Sequence, residues 1–385
     1  PFAGVNGSGK HNNWSLITDT GVNLFAPSSS ARDNLMFLTF FVTTIKGVHE
    51  YSDLLRASIA SYNNDFRLGA NEAPPAIISV YLGSQLEDVF QQIRDGQLSG
   101  SAIGGMMDFG IDTLPEFPRD AGDRNRTSPF AFTGNRFEFR AVGSGQSVAG
   151  PLVVLNTILA DSIGWIADAL ETKLSQGEGL ESASLSVLQS VMQQHGQVVF
   201  GGNGYSEEWH RMAVEERGLE NLRTTADALP VLERPGIREL FERTGVLTPI
   251  ELQSRFEVYA EQYILAIDVE AKLVVQIART QVYPAAMRYV GELSEILQRQ
   301  SALGLPTSTD LCGHVSSLCQ SLLEASASLE EGIAHPPHGT GAHLRHAADV
   351  LVPRMNRVRE VVDGLEALVD DDVWPLSSYQ EMLFV

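Results

Sequence analysis

The sequence has few cysteines and few positive charges. Its 385 residues include two cysteines, and 27 lysines and arginines stand against 48 aspartates and glutamates, which gives a formal net charge of −21. This acidic balance, without a basic stripe, predicts no nucleic-acid binding. In a helical pattern, Cys312 and Cys319 would lie about 10 Å apart along one face, which is too far for a disulfide. We predict two core thiols and a reducing compartment, the cytoplasm.

The sequence also lacks a continuous apolar run of about 20 residues, which a membrane-spanning helix needs. The first residues lack the order of charged, apolar and small residues that is typical of a signal peptide. We therefore predict that the chain has no membrane partner. Its hydrophobic content of 43% is sufficient for two domains that each have a core.

The most distinctive segment is a short run of alternating charged and aromatic residues. In an extended strand, Arg136, Glu138 and Arg140 point to one face, and Phe137 and Phe139 point to the other. Taken alone, this segment also fits a half-buried strand with a solvated charged face. Two further motifs are therefore needed to decide between structure and chemistry.

The first of these is a glycine-rich segment, residues 4–13, with the letters GVNGSGKHNN. It matches most of a phosphate-binding P-loop, but His11 stands where a P-loop has a serine or threonine for magnesium, so we reject that assignment. Its glycines allow close approach of the backbone to a ligand, and His11 is a good ligand for a divalent metal. The second motif is residues 67–74, RLGANEAP.

Taken in order, these segments resemble the carboxy-terminal half of the catalytic domain of a glutamine synthetase, most closely the type III branch. The family elements N-G-S-G-x-H, E-A-P, N-R and R-x-E-x-R correspond to residues 6–11, 72–74, 125–126 and 136–140. The resemblance implies an α+β fold, in which an antiparallel β-sheet or partial barrel flanked by helices is followed by an all-α helical-hairpin domain. We expect the two domains to span residues 1–204 and 205–385, since residues 201–205 are rich in helix-breaking residues.

The resemblance implies ATP-dependent ligation of ammonia to L-glutamate through a γ-glutamyl phosphate. It also implies a Mg²⁺ or Mn²⁺ site, for which nitrogen and oxygen ligands are suited. The implied metal ligands are His11 and Glu138. The implied catalytic residues are Glu72, which takes a proton from ammonium, and Arg126, which contacts the transferred phosphate.

The remaining implied contacts are to the amino acid and to the nucleotide. Those to the amino acid are made by Asn6, Gly7, Arg67 and Arg140. Those to the nucleotide are made by Arg136 and Asn13. The resemblance further implies a ring-based homo-oligomer, a dodecamer.

Two positions depart from the commoner family pattern. Asn13 replaces a second histidine, and Ala131 replaces an arginine that contacts phosphate. The family's other metal-binding carboxylates belong upstream of Pro1, so we expect the chain to be a fragment that is inactive alone.

Past the charged strand the sequence is mainly helical. Apolar periodicity predicts helices over residues 148–174 and 181–197, and a buried stripe of Leu252, Phe256, Tyr259 and Tyr263. Pro284 is expected to kink or end the long helix that carries this stripe. Two further apolar stripes, over residues 315–329 and 344–365, predict an antiparallel hairpin that packs on the preceding helix. Four histidines in residues 335–346 predict an exposed loop rather than a zinc site.

Two alternatives remain open at this point. A relative with the same fold could use an amine instead of ammonia, or activate another γ-carboxylate. A non-catalytic paralogue could act as a scaffold or regulatory subunit. The retained charges argue against the second alternative, because a charged strand face is costly to bury unpaired.

Overall fold

The computed structural model describes residues 8–27, 31–70, 73–96, 128–377 and 381–382. The chain forms two compact units, Pro1–Phe256 and Glu257–Val385. The first contains a sheet and helices, and the described part of the second is helical. The α+β class is therefore confirmed. The domain boundary expected at residues 204 and 205 stays a prediction, because compact units and evolutionary domains are different divisions.

The first unit contains a four-stranded sheet with the strand order β1-β4-β3-β2. Its strands are β1 Gly9–Trp14, β2 Val80–Tyr81, β3 Phe130–Phe132 and β4 Phe137–Gly143. The pairs β1–β4 and β4–β3 are antiparallel, whereas β2–β3 is parallel. The sheet is thus not wholly antiparallel, because β2 and β3 are joined by a long crossover connection rather than a hairpin.

Helices flank this sheet. Those that precede the second unit are α1 Ala31–Glu50, α2 Ser52–Ser58, α3 Tyr62–Arg67, α4 Ser84–Arg94, α5 Ala149–Ser175, α6 Leu180–His195, α7 Glu207–Glu215, α8 Thr225–Ala228 and α9 Pro235–Thr244. The bounds of α5 and α6 confirm the two helices predicted there from apolar periodicity.

One face of the sheet is aromatic and packs on α1. Phe41 of α1 lies 4.8 Å from the ring of Phe132 and 5.1 Å from that of Phe137, measured between ring centroids. Phe130 stacks on Phe137 at 4.8 Å, and all four side chains are nearly or fully buried. Burying a phenylalanine contributes about 1.5–3 kcal/mol, so this cluster fixes which face of β4 points inward.

The apolar helix α5 packs against α1, α2, α6 and α9. By length and composition, α5 could also cross a membrane. Of its most apolar stretch of 18 residues, 39% is buried inside the first unit. The sequence shows no continuous apolar run of membrane-spanning length here, because Asp161 and Asp168 interrupt it. The absence of a membrane partner stays a prediction.

The breaker-rich segment at residues 201–205 follows an ordered edge of the sheet. The Phe200 N–H donates to the Val80 carbonyl at 2.9 Å, and Val199 bridges Val80. The Phe200 ring stacks on Trp209 with 3.5 Å between centroids. Val199, Phe200 and Trp209, which lie on either side of this segment, therefore pack within the first unit.

A long helix, α10 Pro249–Ile277, leads into the second unit. The later helices are α11 Tyr283–Ala302, α12 Asp310–Ala334, α13 Thr340–His346 and α14 Val352–Glu366. In the stripe predicted on α10, Leu252, Phe256 and Tyr263 are buried, but Tyr259 is 40% exposed and Ala260 is buried instead. The prediction for Tyr259 was wrong. The buried residues follow one another at steps of four, four and three, which place Ala260 on the buried face instead of Tyr259.

Each of two prolines in the second unit follows a π-helical turn. Ala278–Val282 precedes Pro284, and Ala347–Leu351 precedes Pro353. A proline ring clashes with the carbonyl four residues earlier, and the wider π turn makes room for it. The kink expected at Pro284 thus takes the form of a π turn in an otherwise continuous helix.

The predicted antiparallel hairpin is confirmed. A side-chain carbon at Gly332, near the end of α12, would meet Leu351 at 3.0 Å, and one at Gly364, in α14, would meet Leu318 at 3.7 Å. The end of one helix therefore lies beside the start of the other, and α12 also packs on α11. Cys312 and Cys319 are both free thiols, as predicted, but only Cys319 is buried in the core, and Cys312 is partly exposed. His335 and His338 lie in an exposed loop, as predicted, whereas His343 and His346 lie in α13 and are partly buried.

Leu329 lies near the end of α12 and is fully buried. The variant Leu329→Ala should lower the free energy of unfolding by about 2–5 kcal/mol, because it removes buried methyl groups and leaves a cavity. Leu311→Ala, on the same helix but 40% exposed, should cost less than about 1 kcal/mol. Urea unfolding compares the two, and equal losses would contradict this packing.

Two histidines face each other between α1 and α6. The Nδ1 atoms of His49 and His195 lie 3.1 Å apart. Burial lowers the pKa of both rings, that of His195 to about 4. Lys46 also lowers both pKa values, whereas Glu50 and, for His49, a hydrogen bond with the Arg217 backbone raise them. The folded protein therefore favours the neutral pair.

This pair predicts a loss of stability in acid. Between pH about 6.5 and about 4, the unfolded chain binds more protons than the folded one, so the free energy of unfolding falls as the pH falls. Lowering the pH from about 7 to about 5 should shift the urea midpoint less in His195→Asn than in the wild type. His314→Asn, at an exposed helical position, should keep the full shift.

Candidate functional site

The face of the sheet opposite the aromatic cluster carries a row of four side chains, of which three are polar and one is the fully buried Ala131. Asn13 of β1 pairs with Glu138 of β4, Glu138 pairs with Ala131 of β3, and Ala131 pairs with Tyr81 of β2. Residues directly opposite each other in a sheet share a face and have Cβ atoms about 5 Å apart. The four side chains therefore form one line across the sheet.

A β-bulge places His11 at the edge of this row. Lys10 pairs with Val142 and Asn12 pairs with Phe139, so His11 alone faces two residues of β4, Arg140 and Ala141. Such a bulge redirects side chains locally. His11 lies two residues from Asn13 and thus on its face of β1.

The polar face is accessible to solvent. His11, Asn13 and Arg136 are exposed, and Glu138 is partly exposed. An imidazole and a carboxylate on one face match the ligand preferences of Mn²⁺ and, through oxygen, Mg²⁺. Among the described residues, no third histidine, cysteine or carboxylate joins them in a group that could hold a metal ion. The donor chemistry fits such an ion, but this part of the chain supplies two ligands.

Two arginines predicted to bind the amino acid are buried. Arg67 is 5% exposed and donates from Nη2 to the Arg140 carbonyl at 3.1 Å. Arg140 is 1% exposed and donates from Nη2 to the Ser128 carbonyl at 3.0 Å. Burial lowers the pKa of the Arg67 guanidinium. Both guanidinium groups are therefore fixed by backbone carbonyls, which limits the directions in which they can meet a ligand.

Helix α3, which carries Arg67, is anchored at both ends. Ser61 caps its start by accepting a hydrogen bond from the Asn64 N–H at 3.3 Å. Asp65 accepts bonds from the Thr225 backbone at 2.8 Å and hydroxyl at 2.7 Å, and lies 3.6 Å from the buried Arg56. Burial raises the pKa of Asp65 to about 6, although Arg56 and Thr225 oppose this shift. At neutral pH the Asp65 carboxylate therefore holds α3 against α8.

The segment after α3 is tied to the chain on both sides of the predicted flap residue. The Gly69 N–H donates to the Pro74 carbonyl at 2.9 Å, and the Tyr205 hydroxyl donates to the Ala73 carbonyl at 2.5 Å. Glu72 itself lies outside the described residues. The structure thus fixes the base of this segment.

The sequence predictions for this site fall into three groups. Asn6, Gly7 and Arg126 lie outside the described residues, as Glu72 does. The structure places His11, Asn13 and Glu138 on one sheet face, Arg136 at an exposed position directly before β4, and Arg67 and Arg140 at buried positions. Their roles stay predictions.

Sequence reasoning missed two residues of this region. Tyr81 completes the row across the sheet, and Asn64 is fully buried beside Arg67. Only the cross-strand register and the fold of α3 bring them to the site, and the sequence carries no motif that marks either.

Comparison with known proteins points to the same family as the sequence motifs. Residues 183–301 match the family model described as the glutamine synthetase C-terminal domain. The type-3 glutamine synthetase of Dictyostelium discoideum is 41% identical over 405 aligned residues, which cover 100% of this chain and 54% of that protein. A glutamine synthetase of Bacteroides fragilis is 36% identical over 398 aligned residues, again covering 100% of this chain and 54% of the relative.

A glutamine synthetase of Butyrivibrio fibrisolvens is 36% identical over 397 aligned residues, covering 100% of this chain and 55% of the relative. The chain thus spans about half the length of the curated relatives it matches. The resemblance inferred from the motifs is confirmed: residues 183–301 match the glutamine synthetase C-terminal domain, and the whole chain aligns with proteins named glutamine synthetase, one of them named type-3.

Proposed function

We propose that the chain is the carboxy-terminal part of an ATP-dependent glutamate–ammonia ligase. The observation that carries this proposal is the sheet face on which Asn13 and Glu138 are paired beside His11, with Arg67 and Arg140 buried and held by backbone carbonyls. A metal-binding pair and two buried cations suit a reaction that moves negative charge between carboxylate and phosphoryl oxygens.

The reaction has two balanced steps. The γ-carboxylate oxygen of glutamate attacks the γ-phosphorus of ATP, the bond from that phosphorus to the bridging oxygen breaks, and ADP leaves with the electron pair. Ammonia then attacks the carbonyl carbon of the γ-glutamyl phosphate, the bond from that carbon to the phosphate oxygen breaks, and phosphate leaves with the electron pair and with the proton that the attacking nitrogen loses. Glu72, on the segment whose base Tyr205 holds, takes the proton that ammonium loses before it attacks.

The other residues position and neutralise charge. His11 and Glu138 would hold Mg²⁺ or Mn²⁺, which when bound supplies positive charge at the phosphoryl oxygens. Arg126 contacts the transferred phosphate. Further contacts to the nucleotide come from Arg136 and Asn13. The amino acid is bound by Asn6, Gly7, Arg67 and Arg140, since arginine matches the planar geometry of a carboxylate.

The proposal extends to the whole protein. The active form is a cytoplasmic homo-oligomer built on rings. A ligase for another amine, and a non-catalytic scaffold, are the competing functions, and neither accounts better for the polar sheet face.

The direct test measures phosphate release from ATP by the full-length gene product. Glutamate and ammonium are omitted in turn. Release that needs both substrates supports glutamine synthesis. Release that needs glutamate but is indifferent to ammonium favours another amine acceptor, and no release from a folded oligomer with Mg²⁺ or Mn²⁺ favours the scaffold.

Glu138 gives the sharpest test of the metal pair. Glu138→Ala should lower metal-dependent activity at least about 100-fold, because the ion contributes several kcal/mol to the transition state. The control Glu181→Ala changes an exposed carboxylate in the first turn of α6 and should leave the rate within about twofold. Full activity in Glu138→Ala would rule out its role as a ligand.

A further inference from the structure

The guanidinium of Arg67 is held against the backbone at the start of β1. A side-chain carbon at Gly9 would lie 2.0 Å from Arg67 Nη2, 2.4 Å from its Cζ and 2.9 Å from the Val142 carbonyl oxygen. Such contacts are far below the van der Waals distance, so only a glycine allows the guanidinium to lie here. Gly9 is two residues from His11, so both lie on one face of β1, and the Arg67 guanidinium lies against the face that carries the predicted metal ligand.

Asn64 fixes the other side of the same guanidinium. Its Oδ1 accepts a hydrogen bond from Arg67 Nη1 at 3.2 Å. Its Nδ2 donates to the Ile59 carbonyl at 2.8 Å and to the Ala141 carbonyl at 2.9 Å. One acceptor faces a cation and two donors face carbonyls, which sets the orientation of the amide.

The contact with Ala141 connects Arg67 to the metal side of the site. Ala141 is one of the two β4 residues that face His11 at the bulge. Asn64 is 0% exposed, so its hydrogen bonds are not replaced by water when they break. A single side chain therefore joins α3, the Arg67 guanidinium and the bulge that presents His11.

We propose that Asn64 is a positioning residue of the amino-acid site. It does not touch the substrate; it sets the direction of the Arg67 guanidinium relative to the His11 bulge. This inference rests on the proposed function, in which Arg67 fixes a carboxylate of glutamate. Without Asn64, Arg67 keeps its bond to the Arg140 carbonyl but loses the acceptor that fixes Nη1.

The loss should appear in glutamate binding more than in nucleotide binding. Asn64→Ala in the full-length gene product should raise the KM for glutamate about tenfold or more, because displacements near 1 Å in a site cost up to about 100-fold. The KM for ATP should stay within about twofold, since Asn64 contacts no residue predicted to bind the nucleotide. Steady-state phosphate release, with each substrate varied in turn, measures both constants.

A matched control separates positioning from simple weakening of α3. Ser61→Ala removes the cap of the same helix but leaves the side-chain bonds of Asn64 in place. It should leave the KM for glutamate within about twofold of the wild-type value. An equal rise in both variants would reduce Asn64 to a structural residue and overturn the inference.

Two more variants keep the test decisive if Asn64→Ala does not fold. Asn64→Asp keeps an acceptor for Arg67 Nη1 but turns an acceptor toward the carbonyls of Ile59 and Ala141. It should restore most of the affinity for glutamate while lowering the melting temperature. Gly9→Ala displaces the guanidinium from the opposite side and should also raise the KM for glutamate.

The outcomes for the two proposals differ. Absence of glutamate-dependent phosphate release in the wild type overturns the proposed function and this inference with it. An active wild type together with an unchanged KM for glutamate in folded Asn64→Ala overturns the inference alone.

Discussion

The burial of the aromatic face of β4 is the constraint on which the first unit depends. Phe137 and Phe139 are fully buried, and Phe137 meets Phe41 of α1 at 5.1 Å. Because side chains alternate along a strand, burying these two rings forces Glu138 to the opposite face. A shift of one residue in register would bury the carboxylate and expose the rings. The same packing energy that forms the core therefore orients the candidate site.

The β-bulge in β4 has an effect that the alternation of side chains along a strand does not produce. It lets His11 face Arg140 and Ala141 together. Beneath it, Asn64 and the backbone carbonyls hold the guanidinium of Arg67 in a buried layer. Buried charges are tolerated only when hydrogen bonds satisfy them, so this layer is rigid for the same reason that it is stable. An exposed polar face together with the buried guanidinium groups of Arg67 and Arg140 suits anionic substrates.

Much of the fold followed from local pattern. The predicted apolar helices correspond to Ala149–Ser175 and Leu180–His195, and the two stripes of the hairpin pack as expected. Periodicity was wrong at Tyr259, where a small residue, Ala260, takes the buried place, because hydrophobicity alone does not reveal which of two adjacent residues the packing selects. It also gave no sign of the parallel pairing of β2 with β3, since pairing partners distant in sequence leave no local pattern.

The sequence by itself determined the family, the α+β class and the residue types of the site, because the motifs around His11 and Glu138 are contiguous along the chain. Only the tertiary structure decided which side chains meet. The row from Asn13 to Tyr81 depends on register across four strands, and the contact of Asn64 with Ala141 depends on how α3 packs against β4. Such contacts join residues far apart in sequence, and their geometry is set by packing rather than by local propensity.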